Sequence, residues 1–320
     1  CARSRRSPFS PTVRAEAMTD FPDEVRALAA ERDERRRAED FAAADAIRDR
    51  ILRLGFSVID GPDGPSLEPV EIDETARLRP RDVESLLDDV PTRDMSVHWV
   101  VEGWPEDVVR ALAGFRSNVG DHDLQYVVAD VTDTDPAVYG EEVEVLRLEP
   151  GTGWGAARNA GLKRSRGRIV LAVDGSVEPT GDVFGPLEAA LEDPSVGVCG
   201  PFGISTDDLR EFHDSDGPEV DAIEGYLMAF RRDVIRDVGL FDERFRWYRT
   251  ADIECSFRIK EAGLRALRVD VPVSKHEHRM YHSTPPAERD RLSKRNYYRS
   301  LERFRDRFDL LVEPAEDSRS

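Results

Sequence analysis

Three things are scarce in this sequence of 320 residues: cysteine, lysine and long apolar runs. Cys1, Cys199 and Cys255 are too few and too scattered for a disulfide framework or a CxxC zinc site, which fits a reducing compartment and makes the cytoplasm the expected location. No apolar stretch approaches the roughly 20 residues that would cross a bilayer, so no transmembrane segment is expected. Positive charge is in deficit, with Lys+Arg of 46 against Asp+Glu of 65 and a net charge of −19. That balance argues against a protein built to hold nucleic-acid phosphates, and no nucleic-acid partner is expected. Residues 1–20 are basic but lack the continuous apolar segment of a secretory signal, and are expected to be a disordered lead outside the fold.

What is present is a core-forming composition, 39% hydrophobic, organised around RIVLAVDGS at 168–176. Ile169 to Val173 have the two-sided apolar character of a central parallel strand. Asp174 then emerges at the strand's carboxyl end, the edge of an open α/β sheet where ligands bind. Around it, SVHWVVE (96–102), LQYVVADVTDTD (124–135) and EVEVLRLEP (142–150) read as strands. Pro105 opens a helix, and GTGWGAARNAGLKRSRG (151–167) reads as a glycine-rich loop passing into another. The alternation predicts an α/β domain with a mostly parallel sheet flanked by helices over 95–312. It closes on an amphipathic helix, 293–311, expected to pack on the sheet.

Ahead of that domain, residues 23–54 carry two helical apolar stripes, one of Val25, Leu28 and Ala29, the other of Ala44, Ile47, Ile51 and Leu54. They predict a small N-terminal helical hairpin within 21–65. A linker is expected over 66–94, with one short helix at Pro80 to Asp89, and a tail over 313–320. The segment ERDERRRAEDFAAADAIRDRILRLGFSVIDGPDGP resembles the C-terminal helical part of bacterial cysteinyl-tRNA synthetases. No ATP-binding or zinc-binding part of a synthetase accompanies it.

In the larger domain, VVADVTDTD, GTGWGAARNAGL followed by IVLAVDGSVEP, and GLFDERFRWYRTADIECSFRIKEAGLRA resemble the family 2 glycosyltransferases of GT-A fold over about 96–311. The resemblance implies a nucleotide diphosphate sugar as donor and a glycan, lipid or small molecule as acceptor. Residue by residue it puts Asp130 near the base, Arg158 and Asn159 at the diphosphate, and Asp174 at the ribose or a metal. It makes Asp252 the general base of an inverting displacement. The departures are Ser176 in the third position of the D-x-D element and Ala251 in place of the glutamate before Asp252. A serine hydroxyl is a poor ligand for Mg²⁺ or Mn²⁺. Glu178 is the candidate substitute, and His276 the candidate to complete a metal site with Asp174. His276 and His278 on an extended H-x-H segment are expected to share a face.

The expected activity is glycosyl transfer, hexosyl or deoxyhexosyl, with a divalent cation as a possible cofactor. Two alternatives accompany it: a nucleotide-sugar-binding protein of the same fold that has lost catalysis, and a tRNA- or synthetase-associated factor defined by the N-terminal segment.

Overall fold

The computed structural model describes residues 21–61, 64–69 and 76–312. The expected lead over 1–20, the tip of the GPDGP turn at 62–63 and the tail over 313–320 lie outside the described residues. The chain divides into two compact units, Cys1–Ala76 and Arg77–Ser320.

In the first unit, helices α1 (Asp23–Arg37) and α2 (Phe41–Arg53) bury Val25, Leu28, Ala29 and Ile51 together. Gly55, in the left-handed region at φ 83°, ends the second helix. Strand β1 (Phe56–Gly61) then pairs antiparallel with β2 (Gly64–Pro69), Val58 opposite Leu67. The expected linker therefore begins too early at 66, because Leu67 packs into the same small core as Phe56 and Val58. Arg32, only 4% exposed, reaches Asp60 through both terminal nitrogens at 2.8 and 3.1 Å. That hydrogen bond holds the Asp60 carboxyl down at about 2 and ties α1 to the hairpin.

The second unit runs β3 (Arg93–Val101), α3 (Pro105–Ser117), β4 (Leu124–Asp130), β5 (Val143–Arg147), α4 (Trp154–Lys163), β6 (Gly167–Val173), β7 (Val177–Pro179), α5 (Phe184–Leu191) and β8 (Val196–Gly200). Short strands β9 (Gly203–Ser205), β10 (His213–Asp214), β11 (Glu219–Val220) and β12 (Ala222–Ile223) precede β13 (Leu227–Arg231) and α6 (Arg232–Val238). The unit ends with α7 (Ala251–Glu261), β14 (Arg265–Arg268), β15 (Val273–Lys275), α8 (Arg279–Ser283) and α9 (Pro286–Phe304).

Eight strands form one sheet in the order β11-β14-β8-β13-β6-β3-β4-β5. Strands β5, β4, β3 and β6 are mutually parallel, and β13 enters antiparallel between β6 and β8. Apolar side chains cover both faces, with Trp99, Phe115 and Phe184 in one layer and Phe230, Phe245 and Ile259 in the other. The carboxyl ends of β3, β4 and β6 consequently share one edge.

Residues 77–92, expected within the linker, belong to this unit. Leu78 bridges Leu148, while Val83 and Leu87 are buried in its core. The helix expected from Pro80 shrinks to a 3₁₀ turn, Pro80–Asp82. Its apolar residues serve as anchors, with the Leu86 amide donating to the Lys163 carbonyl at 2.7 Å. Helix α9 starts earlier than expected and packs not on the sheet but on α7, where Phe304 and Phe257 lie 5.5 Å apart.

Candidate active site

Asp174 follows the last residue of β6, and its amide donates to the Tyr226 carbonyl of the neighbouring segment at 2.9 Å. One carboxylate oxygen accepts from the Ser176 amide (2.8 Å) and the Ser176 hydroxyl; the other lies 3.2 Å from His278 Nε2. Burial pushes this carboxyl up, but the hydrogen bonds from His278 and from the Ser176 donors outweigh it and hold the group below the usual aspartate range. Two contiguous cavities meet here. A narrow one of about 60 Å³ is lined by Glu102, Trp104, Arg158, Asp174, Ser176 and His278, among others. A wide one of about 540 Å³ shares Trp154, Asp174, Tyr248, Glu277 and His278 with it and extends to Asp252.

The other nucleotide-site candidates are placed differently. Asp130 ends β4, separated from β6 by β3, and lines neither cavity. Its oxygens accept from the Thr132 amide and hydroxyl and from the Tyr139 hydroxyl at 2.7, 2.6 and 2.8 Å. That closes a buried network beneath the edge. Asn159 also turns away: its amide nitrogen donates to the Phe241 carbonyl (2.8 Å) and its oxygen accepts from the Phe241 amide (2.9 Å). Arg158 does line the narrow cavity, but two of its nitrogens donate to the carbonyls of His98 and Val173, at 2.8 and 3.0 Å. Burial lowers it to about 10, against the pull of Asp174 and Glu102.

The glycine-rich loop has the same structural use. The Trp154 and Gly155 amides at the start of α4 donate to the carbonyls of Arg246 and Phe245. A Cβ at Gly155 would stand 2.9 Å from the Asp242 carbonyl oxygen. Gly153 and Gly155 allow the close approach of the 242–246 segment.

Among the histidines, His278 and not His276 meets Asp174. His276 Nε2 pairs with Glu178 at 2.7 Å, so Glu178 is no substitute at the Asp174 turn. Strand β15 ends at Lys275 and α8 begins at Arg279; both rings line the wide cavity, but each lies against a different carboxylate, His276 on Glu178 and His278 on Asp174. The Tyr281 amide donates to His278 Nδ1 at 3.2 Å, which puts the ring proton on Nε2, facing Asp174. A metal bound through Nε2 would need the opposite tautomer. With Ser176 donating to Asp174 and no group of three His, Cys, Asp or Glu side chains disposed around a common ion among the described residues, the arrangement does not fit a ready-made divalent-cation site.

Asp252 occupies the first turn of α7, on the wide cleft. It accepts from the Gly225 amide at 2.7 Å and the Ile253 amide at 2.9 Å. Burial raises its pKa; those amides, its own, and Arg249 pull the other way without cancelling the shift. The preceding residue but one, Thr250, is held at φ 72°, an uncommon conformation for a β-branched residue. Asn296, fully buried on α9, donates to the carbonyls of Trp247 and Arg249 and fixes the approach to Asp252. Ala251, where the resembled motif has glutamate, is buried in the core.

Glu102 and Tyr248 are among the lining residues that the sequence did not single out. Glu102, just beyond β3, has its carboxyl pushed up to about 7 by burial beside Arg158, His278 and Asp174. An acidic residue closing the strand SVHWVVE was the same signal that pointed to Asp174. Tyr248 stacks on His278 with ring centres 4.4 Å apart, a contact with no local sequence signature.

Residues 124–256 match the model of the family described as Glycosyl transferase family 2. The fold is similar to that of GalNAc-T7 crystallised with UDP, GalNAc and Mn²⁺, with a TM-score of 0.55 and 17% identity over 69% of this chain and 49% of that one. The chain thus spans about half the length of that structure. A mannosyltransferase from Pyrobaculum calidifontis in complex with GDP-Man and Mn²⁺ aligns with a TM-score of 0.48 and 21% identity over 61% of this chain and 62% of that one. The second unit therefore has a GT-A fold, within which residues 124–256 match the family 2 model. Separately, 52 residues are 48% identical to the cysteine–tRNA ligase of Opitutus terrae, covering 16% of this chain and 11% of the ligase. A 43-residue stretch is 54% identical to that of an Anaeromyxobacter species, covering 13% and 9%. Among the described residues no helix is long and apolar enough to cross a membrane.

Proposed function

We propose that this chain, with its family 2 domain, transfers a hexosyl or deoxyhexosyl group from a nucleotide diphosphate sugar to an acceptor hydroxyl with inversion. The observation that carries the reading is the pair of contiguous cavities, with Asp174 at their junction and Asp252 on the wide side. The donor's nucleotide end belongs at the strand edge, by Glu102, Trp104 and Asp174, and its anomeric carbon faces the wide cleft. Asp252 takes the proton of the acceptor hydroxyl as that oxygen attacks the anomeric carbon. The bond to the diphosphate breaks on the opposite face, and the nucleotide diphosphate leaves. A carboxyl with a raised pKa is the better base for this step, provided it is ionised. Buried, unpaired Cys199 and Cys255 accord with a cytoplasmic setting.

Ser176 and Ala251 favour one other reading, a domain that binds nucleotide sugar without turning it over. Proton NMR of the first-formed product separates the two. Inverted anomeric configuration supports the transferase, retained configuration contradicts the assignment of Asp252, and donor binding without any product supports the binding protein.

A further inference from the structure

The wide cleft also constrains what the acceptor is, an inference that rests on the transferase reading. Beyond Asp174, its charged lining is Asp214, Glu224, Asp252 and Glu277 against Arg249 and Lys275, with His276, His278 and His282 each lying against a carboxylate, of Glu178, Asp174 and Glu277 respectively. Lys275 is already committed: its ammonium lies 3.8 Å from Glu224 and 3.4 Å from the centre of the Tyr226 ring. The Arg249 guanidinium stands 5.4 Å from the Tyr281 ring. Beyond the carboxylate–histidine pairs, carboxylates outnumber arginine and lysine, and a phosphate or carboxylate on the acceptor would meet repulsion. A hydrocarbon chain would meet carboxylates instead of an apolar channel. Phe212, Tyr226, Tyr248 and Tyr281 line the same cleft as those carboxylates, a combination suited to a ring that is apolar on its faces and hydroxylated at its rim.

Glu224 is the best-placed of these groups. Its amide donates to the Phe202 carbonyl at 2.8 Å, and the next amide, of Gly225, holds Asp252 at 2.7 Å. One short backbone stretch thus fixes both carboxylates on the same cleft. Burial raises the Glu224 carboxyl; Lys275 pulls it down, and Asp252 and Asp214 push it up, as expected in a negative pocket. Two carboxylate oxygens can accept from two adjacent hydroxyls.

We propose that the acceptor is an uncharged saccharide, held through adjacent hydroxyls by Glu224 while Asp252 faces the hydroxyl that reacts. The test is saturation-transfer NMR on the full chain with UDP or GDP present. The probes are the methyl glycosides of glucose, mannose and galactose, maltose and cellobiose, each monosaccharide being compared with its uronate and 6-phosphate. Uncharged members should bind about tenfold or more tightly than their anionic counterparts. Glu224→Gln should weaken them about tenfold or more, with nucleotide affinity in the same sample within twofold of wild type, which also shows that the variant is folded. Glu224→Asp should recover part of the loss. Absence of binding by every uncharged member, equal or tighter binding of the anionic ones, or insensitivity to Glu224→Gln would each overturn the proposal. Failure of the nucleotide itself to bind would instead fall on the transferase reading.

Discussion

Asp130 and Asp174 are two aspartates with the same local sequence logic, each closing a buried parallel strand at the same edge of one sheet, yet they serve different ends. Asp130 is 1% exposed and its oxygens are taken up by Thr132 and Tyr139, so its carboxylate closes a turn and anchors the 3₁₀ segment that follows. Asp174 keeps one oxygen toward a cavity, opposed only by a histidine on a later segment. Position at the carboxyl end of a strand brings a carboxylate to the site. The hydrogen bonds made by the next few residues decide whether it remains available.

A crossed pair of substitutions gives the largest expected contrast. Asp174→Ala should weaken nucleotide-sugar binding about tenfold or more, the loss expected for a hydrogen bond to a charged group, while the denaturation midpoint moves little. Asp130→Ala should do the reverse, costing about 1–3 kcal/mol by leaving the buried Tyr139 hydroxyl without its acceptor, with donor affinity of the folded protein unchanged. Calorimetric titration and denaturant unfolding on both variants check the pair. Equal losses of binding would erase the distinction.

Asp252 extends the comparison to a carboxylate whose burial is offset only in part. Its pKa is raised, so turnover should fall, as pH drops, in a range above that of an ordinary aspartate, because the base is ionised only above its own pKa. Arg249 pulls that pKa down, hence Arg249→Met should move the acid limb further up the pH scale. A limb unmoved, or moved down, would show that the limb does not report Asp252. The smallest effect concerns Ser176. Ser176→Asp supplies a second carboxylate at the Asp174 turn and should raise stimulation by Mn²⁺ by about a few-fold. Stimulation equal to wild type would mean that the serine is not what limits metal binding.

The sheet was readable from the sequence because its central strands are apolar on both faces and its helices open on proline or glycine signals. Asp174 and Asp252, which line the same cavity, each stand in a stretch that resembles a family motif. Arg158, Asn159 and Asp130 are donor candidates because they match positions of the resembled family motifs. What the sequence could not express is that the partner of Asn159 is the Phe241 backbone, 82 residues later. Nor could it express that the amides opening α4 go to Arg246 and Phe245. His276 and His278 both reach the wide cavity, but which of them meets Asp174 depends on where Glu178 lies across the β7–β15 pair, which the H-x-H spacing does not specify. Residues 77–92 looked like a linker by their charges and prolines, but three apolar side chains, Leu78, Val83 and Leu87, were enough to seat them.

The central claim is that Asp252 acts as base on a donor bound at the Asp174 edge, and the most direct measurement is donor hydrolysis by wild type and Asp252→Asn at saturating donor. Water stands in for the acceptor, so no acceptor need be known. The account predicts measurable release of nucleotide diphosphate by the wild type and a rate lower by about 10²-fold or more in the variant, at the same donor affinity. Equal rates in the two proteins, at equal affinity, would contradict it.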